Sequence, residues 1–292
     1  MEIFIQQLIN ALVLGSIYAL LALGYTMVYG IIKLINFAHG EVFMLGAFLG
    51  VFYANVLHLP FILVLLFSMA SCALISVLIE FIAYRPLRNA SRIAALITAI
   101  GVSFLLQNVM TYFFGADNRK FPELIKVTKY NFYGIEVSNI QLLIFGTTIL
   151  LMVALTAIVK YSKMGKAMRA VSVDNDAARL MGINVNRTIS FAFALGGALA
   201  AAGGVLIGMY YNSIDPMMGY APGMKAFIAA VLGGIGIIPG AALGGFVLGM
   251  FETFAVSIGL SGWRDAIVYA LLIIILLVKP AGILGKHIKA KV

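Results

Sequence analysis

Charged residues are scarce in this sequence. Only 11% of its 292 residues are Asp, Glu, Lys or Arg, while 63% are hydrophobic. A soluble domain typically carries about 25% charged residues, and a water-soluble core has no room for so many apolar side chains. The surplus must face lipid or other apolar side chains, which predicts an integral membrane protein.

The sequence has a single cysteine and lacks nucleotide-binding and catalytic motifs. The single cysteine, Cys72, lies inside an apolar run, so it forms neither an internal disulfide nor a cysteine metal site. The sequence holds no GxxxxGK loop followed by Ser or Thr, and no HExxH or GxSxG signature, which would indicate phosphate binding, zinc proteolysis or serine hydrolysis. We therefore expect a chain that is not an enzyme and that binds no metal and no cofactor itself.

Long apolar runs organise the chain. They lie at 6–32, 41–57, 60–83, 93–114, 140–159, 188–211, 223–238, 240–258 and 266–283. Helices are the default in lipid, because each segment must satisfy its own backbone groups, and the alternating polarity of a barrel is absent. The sequence predicts an all-α polytopic bundle of about eight to nine transmembrane segments, in a single domain over 1–292. The runs 41–57, 223–238 and 240–258 are short for a full crossing, which indicates tilted, broken or re-entrant helices.

Glycine marks two further features. Pairs at four-residue spacing, such as Gly46 with Gly50 and Gly245 with Gly249, predict close contacts between helices. The glycine-rich stretch 233–240 interrupts a helix between two short apolar runs. It is either a tight cytoplasmic turn or a discontinuity of the kind found at transport sites.

Basic residues predict the orientation of the bundle. They are concentrated in the connectors 84–92 and 160–187 and in the tail 279–291. Cytoplasmic loops carry an excess of Lys and Arg, so we expect the N-terminus outside, the C-terminus inside and the connector 115–139 outside. These loops account for the net charge of +9, and we expect no nucleic-acid partner.

The connector 160–187 is the longest polar stretch, and it contains a predicted short helix. Asp174 is a favourable N-cap, Asp176 lies in the first turn, and Gly182 suits the C′ position. The small and apolar residues between these caps are Ala177, Ala178, Leu180 and Met181. Such a helix either docks a cytoplasmic partner or lies on the lipid surface.

A second polar segment joins the first two apolar runs and contains Asn36, His39, Gly40 and Glu41. One interpretation is a polar turn in which Asn36 and Gly40 cap the two helices. The other is a break inside the membrane, where irregular backbone must line a cavity or be buried in protein. His39 and Glu41 alone are too few for a structural metal site. All four residues are candidates for the translocation path or its gate.

Besides Glu41, two acidic residues lie within apolar runs. Glu80 is close in sequence to Arg85, which predicts an ion pair at the membrane surface. Glu252 has no basic residue in its own run. A carboxylate inside a membrane is a functional-site candidate, and the alternative is a side chain that reaches the outer surface.

A series of short motifs runs along nearly the whole chain. They are Gly24–Gly30, Ile35–Glu41, Tyr84–Arg88, Met181–Asn184, Gly223–Phe227, Val231–Gly236 and Gly282–Gly285. In this order they resemble the H-type permease subunits of branched-chain amino acid ABC importers of the Liv type. The spacing of Asp176, Ala177, Ala178 and Gly182 also resembles the Glu-Ala-Ala-x-x-x-Gly coupling loop of ABC permeases, although Asp replaces Glu and the later proline is missing.

The resemblance implies a function and a set of partners. It implies a multi-pass subunit of a bacterial or archaeal cytoplasmic (inner) membrane that moves Leu, Ile or Val delivered by an external binding protein. The implied partners are a second, homologous permease and two cytoplasmic ATP-binding subunits that hydrolyse ATP, besides the lipid bilayer itself. It further implies that residues 174–182 form the coupling helix.

Other functions remain open from the sequence. Related permeases serve urea, short amides and other amino acids, so these substrates are the alternatives to branched-chain amino acids. A secondary transporter or channel would use several ionisable residues at the centres of its spans, and this sequence offers few.

Overall fold

The computed structural model describes residues 2–88, 90–132 and 134–285. Its α-helices are α1 (Glu2–Ile32), α2 (His39–Asn55), α3 (Phe61–Ile79), α4 (Arg92–Phe114), α5 (Asn139–Tyr161), α6 (Lys163–Val173), α7 (Asn175–Leu180), α8 (Val185–Tyr211), α9 (Tyr220–Gly233), α10 (Ile238–Ser257) and α11 (Arg264–Val278). A π-helical turn, Glu80–Tyr84, extends α3, and a 3-10 turn, Ser261–Trp263, precedes α11. Each apolar run of the sequence forms one helix, so the predicted all-α membrane bundle is confirmed.

Seven of the described helical segments are long and apolar enough to cross a membrane. They contain α1, α3, α4, α5, α8, α10 and α11. Helices α2 and α9 are shorter, with 17 and 14 residues, as two of the three short runs predicted. The third short run forms α10, whose 20 residues suffice for a crossing, so the expectation of a short segment there was wrong.

Short strands cover one end of the bundle. Strand β1 (Arg119–Lys120) pairs antiparallel with β4 (Ser213–Ile214). Strands β2 (Lys129–Phe132) and β3 (Ile135–Ser138) form a hairpin. From the sequence we predicted a connector over 115–139 and none of these strands. The hairpin lies beside the start of α1, because the Gln6 side chain donates to and accepts from the Glu136 backbone.

The two ends of the bundle differ in what they carry. We call the end with Glu2 and the β2–β3 hairpin the hairpin end. The opposite end, with Ile32, the connector residues 85–88 and 90–91 and helices α6 and α7, is the connector end. The glycine-rich stretch also lies there as a tight turn, closed by a hydrogen bond from Ile237 N–H to the Gly234 carbonyl. The tail lysines at 286, 289 and 291 fall outside the described residues.

Helix α1 is at the centre of the bundle. It is mostly buried and packs most extensively against α10 and α8, whereas α11 is almost entirely exposed. Small residues allow this close packing: a methyl group on Gly249 would lie 2.5 Å from Gly15 Cα. A methyl group on Gly46 would lie 2.4 Å from Ala201 Cα, so α2 and α8 approach equally closely. Both contacts confirm the prediction from the glycine pairs.

Helices α2 and α9 both begin inside the bundle. His39, the first residue of α2, packs on Gly24 of α1, where an added methyl group would lie 2.4 Å from the imidazole Nε2. Gly24 precedes the end of α1 by about two turns, or about 12 Å. Gly219, which precedes α9, touches the start of α2, since a methyl group there would lie 2.3 Å from the Gly40 carbonyl oxygen. The starts of the two short helices therefore meet in the interior of the bundle.

Candidate functional site

The segment before α2 is a break in the bundle interior rather than a capped surface turn. The N-cap residue of α2 is Ala38, without a side-chain cap. The Asn36 Oδ1 atom instead accepts a hydrogen bond of 2.8 Å from the Tyr84 hydroxyl, and Gly40 lies within the first turn of α2. The interpretation in which Asn36 and Gly40 act as caps was wrong, because buried tertiary contacts take both residues.

Glu41 is a buried carboxylate with an incomplete set of partners. Its Oε1 atom accepts hydrogen bonds from Gln107 at 2.7 Å and Ser103 at 3.1 Å, both on α4. Its Oε2 atom is buried and has no hydrogen-bond partner. Among the residues that the structure describes, no Lys or Arg pairs with Glu41. The charge of this carboxylate is therefore not compensated by the described part of the chain.

His39 lies beside Glu41 in sequence but faces another direction. It is 2% exposed, its ring packs edge-on against Tyr25 with centroids 4.6 Å apart, and its Nε2 atom has no hydrogen-bond partner. Of the four gate candidates, Gly40 and Glu41 line a cavity. His39 packs against α1 and Asn36 against Tyr84, so these two support the start of α2.

The cavity beside Glu41 has a volume of about 280 Å³. It lies between the starts of α2 and α9 and the middle of α4, and its wall contains the hydroxyl-bearing residues Tyr25, Ser103 and Tyr220 besides Glu41. Its apolar walls are formed by Phe37, Ile100, Phe104 and Met224. The three glycines at its base are Gly40, Gly219 and Gly223. The cavity combines one incompletely paired carboxylate with a largely apolar wall.

Glu252 is also buried, but its carboxylate is fully paired. Its Oε2 atom accepts from the Tyr18 hydroxyl at 2.7 Å, and its Oε1 atom lies 2.7 Å from Lys225 Nζ. Lys225 also pairs with Asp265 at 2.7 Å, and Arg264 Nε lies 3.6 Å from Glu252. This network joins α1, α9, α10 and α11. The alternative in which Glu252 reaches the outer surface was wrong, because the side chain is buried and its cationic partners come from other helices.

Glu80 anchors the connector end in the same paired manner. Arg85 and Arg88 both form salt bridges with this buried carboxylate, the former at 3.0 Å, and Ser190 of α8 donates to it at 2.7 Å. Burial lowers the pKa of the Arg88 guanidinium, and the Glu80 carboxylate opposes that shift. The predicted pair between Glu80 and Arg85 is confirmed. The sequence pattern did not indicate the contacts with Arg88 and Ser190.

Helix α7 forms where the sequence predicts it. The Asp174 carboxylate accepts from the backbone N–H groups of Asp176 and Ala177, at 2.8 and 3.0 Å. Gly182 follows the helix with φ 80°, a left-handed conformation that glycine adopts without strain. Residues Leu180 and Met181 are 89% and 81% exposed, so the helix presents two bare apolar side chains.

Ala178 does not belong to that exposed surface. It is only 4% exposed, while Ala177 on the same helix is exposed. Ala178 packs against its own chain, and its role in coupling stays a prediction. The exposed small and apolar side chains of this segment are Ala177, Leu180 and Met181, and its exposed polar ones include Asp176 and Arg179.

Comparison with known proteins identifies the family. Residues 7–276 match the family model of the branched-chain amino acid transport system permease component. The chain is 43% identical to the high-affinity branched-chain amino acid transport system permease protein LivH of Escherichia coli (strain K12), over 97% of this chain and 96% of that protein. It is equally similar to the permease protein BraD of Pseudomonas aeruginosa, with the same identity and coverage.

A more distant relative is named for a different import system. The autoinducer 2 import system permease protein LsrC of Klebsiella pneumoniae is 31% identical, over 64% of this chain and 55% of its own length. The family match and the two relatives at 43% identity cover almost the whole chain, and they agree with the multi-pass helical bundle. The chain belongs to the family of permease components of branched-chain amino acid transport systems.

Proposed function

We propose that this chain is a permease subunit of an ATP-driven importer in the bacterial or archaeal inner membrane, which translocates Leu, Ile and Val. The observation that carries the proposal is that relatives named as branched-chain amino acid permeases align with nearly the whole chain at 43% identity. The chain pairs with a second, homologous permease and receives substrate from an external binding protein. Two cytoplasmic subunits bind and hydrolyse ATP.

Helix α7 is the contact for the ATP-binding subunits in this proposal. Two large apolar side chains, Leu180 and Met181, stand free of their own chain, which is costly in water unless a partner or lipid covers them. The helix is held by the Asp174 cap and by the buried Ala178. A rigid attachment allows movement of a docked subunit to reach α8, which begins at Val185.

The orientation follows from the connector end. Basic residues of 84–92 and 160–187 lie there, and cytoplasmic loops are enriched in such residues. To test it, the buried Cys72 is replaced by Ser, and a single cysteine is introduced at one of two exposed positions, Asn118 or Asn175. In intact cells an impermeant thiol reagent should label position 118 and leave position 175 unlabelled. The reverse pattern contradicts the orientation.

Transport tests the importer directly. We expect proteoliposomes with both permeases, the ATP-binding subunits and the binding protein to accumulate labelled leucine only when ATP is present. Isoleucine and valine should compete, whereas urea and acetamide should not. Uptake of leucine without ATP contradicts the proposal of an ATP-driven importer. Competition by urea or acetamide, without competition by isoleucine and valine, contradicts the proposed substrate class.

Charged substitutions on α7 test whether the ATP-binding subunits dock there. Leu180→Asp combined with Met181→Asp should abolish copurification of the ATP-binding subunits and ATP-dependent uptake, because a charged surface loses its apolar contact. Pairing with the second permease should persist. The matched control is Val127→Asp, an exposed apolar residue near the hairpin end, which should leave both unchanged. Normal copurification in the α7 variant would move docking to the connector 84–92.

A further inference from the structure

We propose that the cavity beside Glu41 is a weak, transient binding site for an aliphatic α-amino acid in its zwitterionic form, with the ammonium group on Glu41. The inference rests on the transport function proposed above and assigns the residues that meet the substrate. Three features of the cavity match the three parts of such a molecule: an unpaired carboxylate oxygen, two helix starts and an apolar wall.

The first feature is the free oxygen of Glu41. Its Oε1 atom is taken by Ser103 and Gln107, and its Oε2 atom is buried without a partner. A buried polar atom without a hydrogen bond is costly, and natural structures retain few of them. An ammonium group supplies both the missing donors and the missing positive charge. The Oε2 atom faces Gly219, since a methyl group there would lie 2.9 Å from it.

The second feature is the meeting of two helix starts. The first turn of a helix has N–H groups without intrahelical partners and carries a partial positive charge. Neither α2 nor α9 has a side-chain cap at this end. The N–H groups of His39, Glu41 and Tyr220 donate to backbone carbonyls, whereas the Gly40 N–H group has no such bond among the described contacts. Discontinuous helices in transporters direct such ends at carboxylates. The substrate carboxylate therefore lies towards the Gly40 N–H group, beside its own ammonium on Glu41.

The third feature is the apolar wall. Phe37, Ile100, Phe104 and Met224 form the apolar part of the remaining wall, which also contains Tyr25 and Tyr220. This wall suits a branched aliphatic side chain. The volume of about 280 Å³ is near the lower limit of about 300 Å³ for small-molecule pockets, so the cavity suits a single amino acid rather than a peptide. No Lys or Arg of the described chain lines it. Because no cation pairs with the substrate carboxylate, we expect the amino acid to bind weakly. Weak binding allows its release into the cell.

The site opens sideways between α4 and α9. Phe104 and Tyr220 at its margin are 58% and 62% exposed, although both lie within membrane-spanning or short apolar helices. A lateral opening at this depth suits a path shared with a second permease. A substrate would then pass between the two permeases and touch Glu41 on the way.

The test measures leucine binding to the assembled permeases and ATP-binding subunits in nanodiscs, without the binding protein, by ligand-observed saturation-transfer NMR. We expect Glu41→Gln to weaken binding by about tenfold or more, the loss expected for one charge-assisted contact. Isopentylamine, which lacks the carboxylate, should displace leucine, and 4-methylpentanoate, which lacks the ammonium group, should not. Glu41→Asp should retain part of the binding, because it keeps the charge.

Controls separate the possible failures. Glu123→Gln changes an exposed carboxylate and should bind leucine normally. If Glu41→Gln does not assemble, Ile100→Trp fills the cavity from the other side and should itself abolish binding. Leucine binding equal to wild type in Glu41→Gln, or in Ile100→Trp, overturns the site. Absence of ATP-dependent uptake by the wild-type system instead rejects the proposed function and leaves the binding measurement to decide the site by itself.

Discussion

Glu41 and Glu252 are both buried among the apolar helices of this protein, and they have opposite surroundings. Glu252 contacts Lys225, Arg264 and the Tyr18 hydroxyl, all from other helices. Glu41 contacts two neutral donors and keeps one oxygen free. Both are almost completely buried, at 3% and 1% exposure. Burial alone therefore does not distinguish them, and the difference lies in their charge partners.

The comparison separates structural from functional charge. A buried ion pair that is complete holds elements in a fixed relation, and removal of one partner leaves an uncompensated charge. The Glu252 network therefore fixes α1, α9, α10 and α11 to one another. In the part of the chain that the structure describes, Glu41 lacks a charge partner and is linked to α4 only by the hydrogen bonds from Ser103 and Gln107. Glu41 is thus available for a cation that arrives from outside the chain.

The largest expected effect comes from breaking the complete network. Lys225→Met leaves Glu252 without its shortest cationic contact, and loss of one partner of a buried pair costs about 3–5 kcal/mol. The free energy of unfolding in detergent, followed by circular dichroism, measures this. Lys225→Met combined with Glu252→Leu should recover much of the loss. Equal destabilisation by the single and the double variant contradicts the account of a coupled pair.

A smaller effect is expected from the hydroxyl that completes the network. Tyr18→Phe removes one donor to Glu252 but leaves Lys225 and Arg264 in place. A hydrogen bond to a charged group contributes about 1.5–3 kcal/mol, so the variant should lose stability within that range. A stability unchanged from wild type would mean that the two cations alone satisfy the carboxylate.

The contact between the two helix starts gives the next prediction. An added methyl group on Gly219 meets the Gly40 backbone, so Gly219→Ala must separate α2 from α9 and should cost about 1–3 kcal/mol. The control is Gly101→Ala on α4, where the new methyl group meets nothing within 4 Å. Thermal unfolding should show a loss for the first variant only. Equal melting temperatures for Gly219→Ala and the wild type would contradict the close approach.

The smallest effect on stability is expected at Glu41 itself. Glu41→Gln keeps an acceptor for Ser103 and Gln107 and breaks no ion pair, so the free energy of unfolding should change by less than about 1 kcal/mol. The same unfolding measurement applies. A loss comparable with that of Lys225→Met would indicate a charge partner for Glu41 and would remove the contrast between the two carboxylates.

The sequence predicted those features that depend on local pattern. Apolar length determined the helices, and the caps of α7 follow from Asp174 and Gly182, whose roles are local. The pair between Glu80 and Arg85 was predictable because the two residues lie one to two turns apart in sequence. Each of these predictions needed only the spacing of neighbouring residues.

Features that depend on packing were not predictable in the same way. Lys225 and Glu252 belong to different apolar runs, so no pattern within either run indicates their contact. Ala178 carries no signal that distinguishes an inward from an outward methyl group. The cavity at Glu41 requires α4 and α9 to be placed beside the start of α2. For Glu41, the sequence indicated a polar residue near a break but gave no information about its missing partner.

The most direct test compares Glu41→Gln with Glu252→Gln in one experiment. For each variant, the free energy of unfolding is measured together with leucine binding per folded complex in nanodiscs. We predict that Glu252→Gln unfolds more easily while its folded fraction binds leucine normally, and that Glu41→Gln keeps its stability and loses leucine binding. The account is contradicted if Glu41→Gln is destabilised as much as Glu252→Gln and its folded fraction still binds leucine like the wild type.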